Sequence, residues 1–162
     1  MAEDLDPRIT PSLLDRLTDF EPGIRDEPVL SRSQGLRALR NSLWRDMNAL
    51  LNTKRREEEV PEQFNECVRS LLTFGIPDFT AYSLKSPHDQ NRLRRAIEAA
   101  IRKFEPRLEK INVTIQLPDE TDPTMRFRVD ALLQIEPAPE PVTFETVLPP
   151  GTSHFVIVGE DR

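Results

Sequence analysis

The sequence predicts an α+β domain, in which three to four N-terminal helices pack on one face of a C-terminal antiparallel meander sheet of three or four strands. Two observations support this class. Apolar residues recur at helical spacing up to residue 104, and apolar and polar residues then alternate from residue 111 onward. Short turns separate the alternating stretches, which favours a meander of neighbouring strands.

Composition limits the kinds of protein that the chain can be. Its 162 residues suffice for one domain with a modest core, and the net charge of -6 argues against a generic nucleic-acid binder. The single cysteine, Cys67, excludes an intramolecular disulfide and fits a reducing compartment. No apolar run approaches the roughly 20 residues that span a bilayer, and no signal peptide is evident. We therefore expect no direct membrane insertion.

Residues 1–30 are predicted to form an N-terminal segment, and residues 31–162 a single domain. Thr10 and Pro11 are typical of a helix cap and a first turn, and leucines follow on one side of a short helix. A helix of about two turns is not stable alone. We expect it to dock on this domain or on a partner. Residues 21–30 contain two prolines and a glycine, which is typical of a linker.

Three further helices are predicted from apolar periodicity. The first begins at Ser31 or Ser33 and ends near Asn52, with Trp44 at the edge of its apolar stripe. The second spans residues 61–72 and places Cys67 on its buried face. The apolar residues of the loop at 73–79 are expected to tuck under the body. The buried stripe of the first helix is Leu36, Leu39, Leu43, Met47, Leu50 and Leu51.

The last predicted helix organises the chain, because it leads into a charged corner and then into the sheet. It has Ser86 as cap and Pro87 in its first turn, and Glu105-Pro106-Arg107 ends it. Strands are then expected at residues 111–117, 125–135, 142–148 and 154–158. The buried positions of this helix are Leu93, Ile97, Ala100, Ile101 and Phe104.

Patterns that carry catalysis or bind metals are nearly absent. His88 and His154 have no ligand or triad spacing around them, and the glycines are scattered singly. We therefore expect no catalytic residue, no metal site and no cofactor. One enzymatic alternative is a peptidoglycan hydrolase with Glu105 as general acid. That chemistry needs a second carboxylate at a defined separation, and Arg107 opposes the role because it favours the ionised carboxylate.

A second alternative is a module that binds a charged partner through the basic helix at residues 86–104. It predicts salt-dependent binding to an acidic partner or to nucleic acid. The acidic remainder of the chain counts against it. The side chains in question are Arg92, Arg94, Arg95, Arg102 and Lys103.

The corner itself has two interpretations. In one it only ends the helix, and its two charges form an exposed pair worth about 0–1 kcal/mol. In the other it is a rigid docking point. Pro106 restrains the backbone, so that little entropy is lost on binding, and the Arg107 fork suits a bidentate contact. The physics of the residues leaves both open.

The stretch Phe104-Glu105-Pro106-Arg107-Leu108 resembles the Glu-Pro-Arg signature of the TssE family. Members are baseplate subunits of the bacterial type VI secretion system, related to a small baseplate wedge protein of contractile-tail phages. Three other stretches agree with that family in order, and the resemblance covers roughly residues 10–148. They are Ser12-Leu13-Leu14-Asp15-Arg16-Leu17, Leu50-Leu51-Asn52-Thr53-Lys54-Arg55 and Ser70-Leu71-Leu72-Thr73-Phe74-Gly75-Ile76-Pro77-Asp78.

The resemblance implies a structural, non-enzymatic protein, cytoplasmic and part of a membrane-docked baseplate complex. It implies TssF and TssG as partners, with TssK as a further candidate, and a role where the TssB/TssC sheath begins to polymerise. Glu105, Pro106 and Arg107 would be the partner-binding residues. Sheath subunits join by sharing strands, and an edge strand at residues 142–148 or 154–158 would suit such strand addition. No nucleic-acid partner is expected.

Overall fold

The computed structural model describes residue 9 and residues 11–18, 23, 31–56, 60–61, 63–83, 86–116 and 124–158. Within them the fold is α+β, as predicted: the helical elements precede a four-stranded antiparallel sheet. The helices are α1 Leu13–Leu17, α2 Arg32–Asn52, α3 Asn65–Arg69 and α4 Pro87–Phe104, with a 3-10 turn at Leu71–Thr73. The strands are β1 Leu108–Gln116, β2 Met125–Leu133, β3 Glu140–Leu148 and β4 Val156–Val158.

The sheet is a simple meander in the order β1-β2-β3-β4. Its inward face is continuous, because alternating residues of neighbouring strands lie opposite each other: Val113 pairs with Val129, and Val129 pairs with Phe144. In β1 the register shifts between Glu109 and Asn112, so that both Leu108 before the irregularity and Val113 after it are buried. This order corrects one expectation. β3 pairs with β2 along its length and with β4 at Glu145–Val147, so that residues 145–147 are not an edge.

Helices α2 and α4 cover the inward face of the sheet. The predicted stripes are confirmed: Leu43 and Met47 of α2 and Leu93 and Ile101 of α4 are almost fully buried. Helix α2 begins with a capping box between Ser31 and Gln34, which satisfies backbone donors of its first turn.

Three aromatic contacts add to this core. Trp44 packs edge-on against Phe144 at 5.5 Å between ring centroids, which confirms its place beside the α2 stripe. Phe155, just before β4, is fully buried against Phe79 and Phe127. The Asn52 side chain bonds both backbone groups of Phe155, at 2.8 and 3.0 Å, and so ties the end of α2 to β4.

The predicted helix at residues 61–72 is wrong in extent and in burial. Only Asn65–Arg69 is α-helical, and it lacks a side-chain cap. Cys67 is exposed rather than buried, as are Phe64 and Leu71. The reason is that the loop after it fills this side of the core instead: Ile76 and Phe79 are buried, as expected for that loop.

The start of helix α1 differs from the sequence expectation. Helix α1 begins at Leu13 with Ser12 as its cap. Thr10, the cap that was expected, lies outside the described residues, as do residues 21–30 of the predicted linker apart from Gly23.

Among the described residues, no helix is both long and apolar enough to cross a membrane.

Candidate functional site

The Glu-Pro-Arg corner is a tight, well-bonded turn between α4 and β1. The Glu105 N–H donates to the Ile101 carbonyl at 2.8 Å and closes the last turn of the helix. The Leu108 N–H then donates to the Glu105 carbonyl at 3.1 Å. The Arg107 carbonyl accepts from the Gln134 N–H at 2.8 Å, which joins the corner to the end of β2. Pro106 cannot continue a helix, so the chain reverses here.

The two charged side chains of the corner bind each other and are not free. Arg107 Nε donates to one Glu105 oxygen at 2.6 Å, and a terminal nitrogen donates to the other at 2.5 Å. This is the bidentate fork that arginine forms with carboxylates. Only 5% of the Glu105 surface is exposed. The interpretation of the corner as an exposed pair is therefore wrong. The pair is half-buried, and such pairs are costly to break from one side.

Arg107 also reaches helix α2. The terminal nitrogen that contacts Glu105 donates to Asp46 Oδ2 at 2.6 Å as well, and the other terminal nitrogen lies 3.4 Å from Ser42 Oγ. Hydrogen bonds from Arg107 to Glu105, and then to Asp46, raise the pKa of the guanidinium above its ordinary value, although burial opposes them. Arg107 thus carries a fixed charge between two carboxylates.

The hydrogen-bonded side chains around Arg107 continue to helix α1 through Asp15. Its carboxylate accepts from Ser12 at 2.5 Å, from Ser42 at 2.6 Å and from Arg45 at 2.7 Å. Burial favours the neutral acid, but the three hydrogen bonds and the arginine charge outweigh it and lower the pKa of Asp15 to about 2. Arg45 also contacts Asp46 at 3.2 Å, and so closes the chain of contacts back to the corner.

We call this set of side chains the corner network. It joins three segments that are far apart in sequence, and Ser42 stands at its centre between Asp15 and Arg107. The described part of the chain leaves no buried side-chain nitrogen or oxygen without a hydrogen-bond partner. Its members are Ser12, Asp15, Ser42, Arg45, Asp46, Glu105 and Arg107.

Helix α1 is held by polar contacts, and its apolar side chains are exposed. Leu13, Leu14 and Leu17 have 70%, 60% and 74% of their surface exposed, and α1 has no buried residue. Ile9, ahead of the helix, is partly buried and lies close to Gly35 of α2. A short helix that presents leucines outward while a carboxylate anchors it is a candidate docking element.

Sequence reasoning found the corner and missed most of its contacts. Glu105 and Arg107 were identified from the sequence, whereas the contacts of Ser42, Arg45 and Asp46 were not. A signal was available: Ser42 and Asp46 are one turn apart and border the buried positions Leu39 and Leu43. Polar residues next to a buried stripe indicate a buried polar contact.

The arrangement does not suit Glu105 to acid catalysis. Both Glu105 oxygens are occupied by hydrogen bonds from Arg107 and the side chain is buried, so that neither oxygen is presented to a substrate. Asp46, the second carboxylate of the cluster, shares that same guanidinium. A cavity of about 520 Å³ lies elsewhere, and Glu105 does not line it.

The basic helix does not present one continuous charged face either. Arg94 is paired with Glu98 at 2.6 Å, and Arg92 lies over the Tyr82 ring at 4.6 Å. Lys103 donates to the Thr73 hydroxyl at 2.8 Å. Arg92 also lies 3.8 Å from Asp89, so that two of the five cations named for this helix are paired with carboxylates of the chain.

The fold and the corner network define a class: a small α+β protein whose Glu-Pro-Arg turn binds neighbouring helices. The profile of a family described as baseplate wedge protein gp25 matches residues 37–138, which is more than half of the chain. The chain therefore belongs to the baseplate wedge protein gp25 family. The match includes most of α2, all of α4 and the Glu-Pro-Arg turn.

Comparisons with solved structures and with curated proteins add little to the family match. Among solved structures, a chain of "The baseplate complex from the type VI secretion system" is similar at 18% identity and a TM-score of 0.47. The alignment covers 69% of this chain and 95% of that chain. A likeness at this level supports no further conclusion. No curated protein gives a significant match.

Proposed function

We propose that the chain is a structural, non-enzymatic baseplate subunit of a type VI secretion system. In this proposal it assembles with the wedge subunits TssF and TssG, with TssK as a further candidate, and supports the start of TssB/TssC sheath polymerisation. It works in the cytoplasm, at a baseplate docked on the membrane. Family membership supports the baseplate role. The four ordered stretches shared with the TssE family support the secretion-system assignment.

One observation carries the docking part of this proposal: the corner network joins α1 to the Glu-Pro-Arg turn. Ser42 lies 2.6 Å from Asp15 and 3.4 Å from Arg107, so that the α1 helix and the turn are neighbours. We infer that the leucines of α1 and the corner form one docking surface. The apolar side chains supply buried area, and the network holds them in place before binding, which lowers the entropic cost of association.

Within the signature, the three residues then have different roles. Glu105 is buried and has both oxygens bonded to Arg107, so its role is to position the guanidinium. Pro106 is exposed, and Arg107 keeps 24% of its side chain exposed. A partner would therefore contact Pro106 and the outer edge of Arg107.

The sheath contact is proposed to use a different surface. Of the two strands first considered for strand addition, only the one at residues 154–158 lies at an edge, as β4. Val156 and Val158 of this strand are partly exposed. A short apolar edge strand suits the addition of a strand from another chain.

The direct test is co-purification of the tagged chain with TssF and TssG. Removal of residues 1–20, or replacement of Leu14 and Leu17 by serine, should abolish recovery of the wedge subunits while the remaining domain still folds. Arg16→Ala is the matched control, because Arg16 is exposed on the same helix. Undiminished recovery without α1 would contradict the docking role of the helix.

The two surfaces can also be separated. Val158→Lys places a charge on the β4 edge, and lysine is a residue that discourages edge pairing. This variant should still bind TssF and TssG, and should form fewer sheaths when a fluorescent TssB is followed in cells. Loss of wedge binding in Val158→Lys would instead assign the β4 edge to the wedge.

A further inference from the structure

The described sheet has two edges, and they are not equally open. Strands β1 and β4 are its outer members, so each has one row of backbone N–H and C=O groups that faces away from the sheet. Such a row is a template on which another chain can add a strand. Strand β1 has nine residues, whereas β4 has three. The β1 edge therefore offers the longer template.

A carboxylate of helix α4 covers the β1 edge. The Val113 N–H donates to Glu98 Oε1 at 3.2 Å. Ladder hydrogen bonds lie perpendicular to their strands, so an N–H that points at Glu98 points away from β2. Glu98 thus takes the place that a carbonyl of a further strand would occupy at Val113.

Glu98 is held in this position by its own helix. Arg94, one turn earlier, donates to the same Oε1 atom at 2.6 Å. The i,i+4 spacing places the two side chains on one face of α4, and a charge-assisted hydrogen bond of this length is strong. Only 16% of the Glu98 side chain is exposed. The carboxylate is therefore positioned at Val113 before any partner arrives.

The backbone of β1 is a second obstacle to pairing. The register with β2 shifts between Glu109 and Asn112, and Lys110, which lies within the shift, has a φ of 51°. A non-glycine residue in the left-handed region interrupts the regular row of strand hydrogen bonds. Bulges and lysines are two of the features that keep sheet edges from pairing. The regular part of the edge is thus residues 112–116, and Val113 lies within it.

The β4 edge is regular and apolar. Its residues pair with β3 without a register shift, and Val156 and Val158 have 47% and 41% of their surface exposed. The Asn52 side chain binds both backbone groups of Phe155 and so fixes the start of this strand. Two β1 strands would each bring an irregularity to a shared ladder, whereas β4 brings none. The best-matched strand for an uncovered β1 edge is therefore β4 of a second copy.

We infer that Glu98 is a specificity-determining residue of strand pairing: its carboxylate closes the β1 edge to β4 of a second copy. Pairing of β1 with β4 is head-to-tail, and it would continue from copy to copy because each copy has one edge of each kind. Closure of β1 leaves β4 as the edge of the described sheet at which a strand can be added. The inference goes beyond the baseplate role and does not depend on it, since it concerns the chain alone.

The test is Glu98→Ala in the full chain, which frees the Val113 N–H for a carbonyl of another strand. Sedimentation velocity over a concentration series should show self-association at least about tenfold tighter than that of the original chain. Amide exchange followed by NMR should be faster at Val113 in dilute solution and should slow as the concentration rises. Exchange that is faster by the same factor at every concentration would mean that Glu98 only supports the fold, and would overturn the inference.

A second variant guards against a loss of stability. Glu98→Ala leaves Arg94 without this carboxylate, so Arg94→Ala/Glu98→Ala, which removes both partners, is measured in parallel. It should show the same gain in self-association. No gain in the folded double variant would overturn the inference.

Two controls separate the covered N–H from net charge. Glu98→Gln keeps an oxygen that can accept from Val113 and should associate no more tightly than the original chain. Glu109→Ala removes the same charge from an exposed position of β1 and should also have no effect. Self-association in either control as tight as in Glu98→Ala would overturn the inference.

The strand that pairs with β1 is identified by Glu98→Ala/Val158→Lys. Lysine on the β4 edge discourages pairing. This double variant should return to the self-association of the original chain, and its Val113 amide should exchange fast at every concentration. Persistent association would overturn the assignment of β4 as the strand that Glu98 excludes.

Discussion

Two groups of cationic side chains lie at the C-terminal end of α4, and they differ in what neutralises them. At the corner, Arg107 has carboxylate oxygens of Glu105 and Asp46 within 2.6 Å. In the second group, Arg55 and Lys103 have no carboxylate partner among the described residues. Lys103 and Arg107 are four positions apart, yet they belong to different groups.

The difference separates charges that hold the fold from charges that are available to a partner. A charge that is buried and matched within the chain is expensive to remove, since its counter-charge is left behind without water. A charge that is exposed and unmatched contributes little to the fold. Mutation of the corner should therefore lower the stability of the fold strongly, and mutation of Arg55 should change it little.

The largest effect is expected for Arg107→Ala. It leaves the buried Glu105 carboxylate without either of its bidentate bonds, and we expect a loss of about 3–5 kcal/mol in the free energy of unfolding. That corresponds to a fall of roughly 10 °C in Tm for a domain of this size. Urea denaturation followed by Trp44 fluorescence would measure it.

The control for this variant is Arg40→Ala, which removes an exposed pair of the same type. Arg40 contacts Glu140 at 3.4 Å, and both side chains are partly solvated. It should cost no more than about 1 kcal/mol. Similar losses in both arginine variants would contradict the distinction between buried and exposed pairs.

Glu105→Ala should cost less than Arg107→Ala, because Arg107 keeps Asp46 and is partly exposed. We expect about 1–3 kcal/mol, the cost of leaving a polar group short of one partner. The double variant Glu105→Ala/Arg107→Ala should lose less than the sum of the two single variants, since the residues are in contact. Additive losses in a double-mutant cycle would show that the pair is not coupled.

The comparison also shows what local sequence can predict. The stripes of α2 and α4 and the strand alternation were predicted correctly because they depend on residues three, four or two apart. The corner turn was predicted for the same reason, since Pro106 acts on its neighbours. Each of these elements carries its pattern within its own length.

What the sequence could not show depends on distant residues. The sequence suggested an exposed pair at the corner. It could not show that Asp46, which lies 61 residues from Arg107 along the chain, also accepts a hydrogen bond from that arginine. The apolar residues at 61–72 have helical spacing, but Ile76 and Phe79 occupy the part of the core beside them. The edge predicted at 142–148 is covered at residues 145–147, because β4 pairs with them.

A smaller and local effect is expected at Asp15 on lowering the pH. Its pKa falls from 3.8 to about 2 in the folded protein, so its contribution is complete above about pH 3.8 and is lost as the pH falls toward 2. Helix α1 should therefore detach in that window. NMR amide shifts of Leu13 and Leu17 would report it. In Asp15→Asn these shifts should already be displaced at pH 7 and should not titrate in that window, and a wild-type titration profile in the variant would contradict the assignment.

The smallest effect on stability is expected for Arg55→Ala. It removes an exposed cation that repels Lys103 and has no ion pair among the described residues, so the free energy of unfolding should stay within about 0.5 kcal/mol of the original value. The pKa of Lys103 should rise toward its usual range, because one of the two influences that lower it is gone. A titration of the Lys103 side chain by NMR would test this. If Arg55→Ala instead destabilises the domain as strongly as Arg107→Ala, then Arg55 holds the fold, and the two groups of cations do not differ in kind.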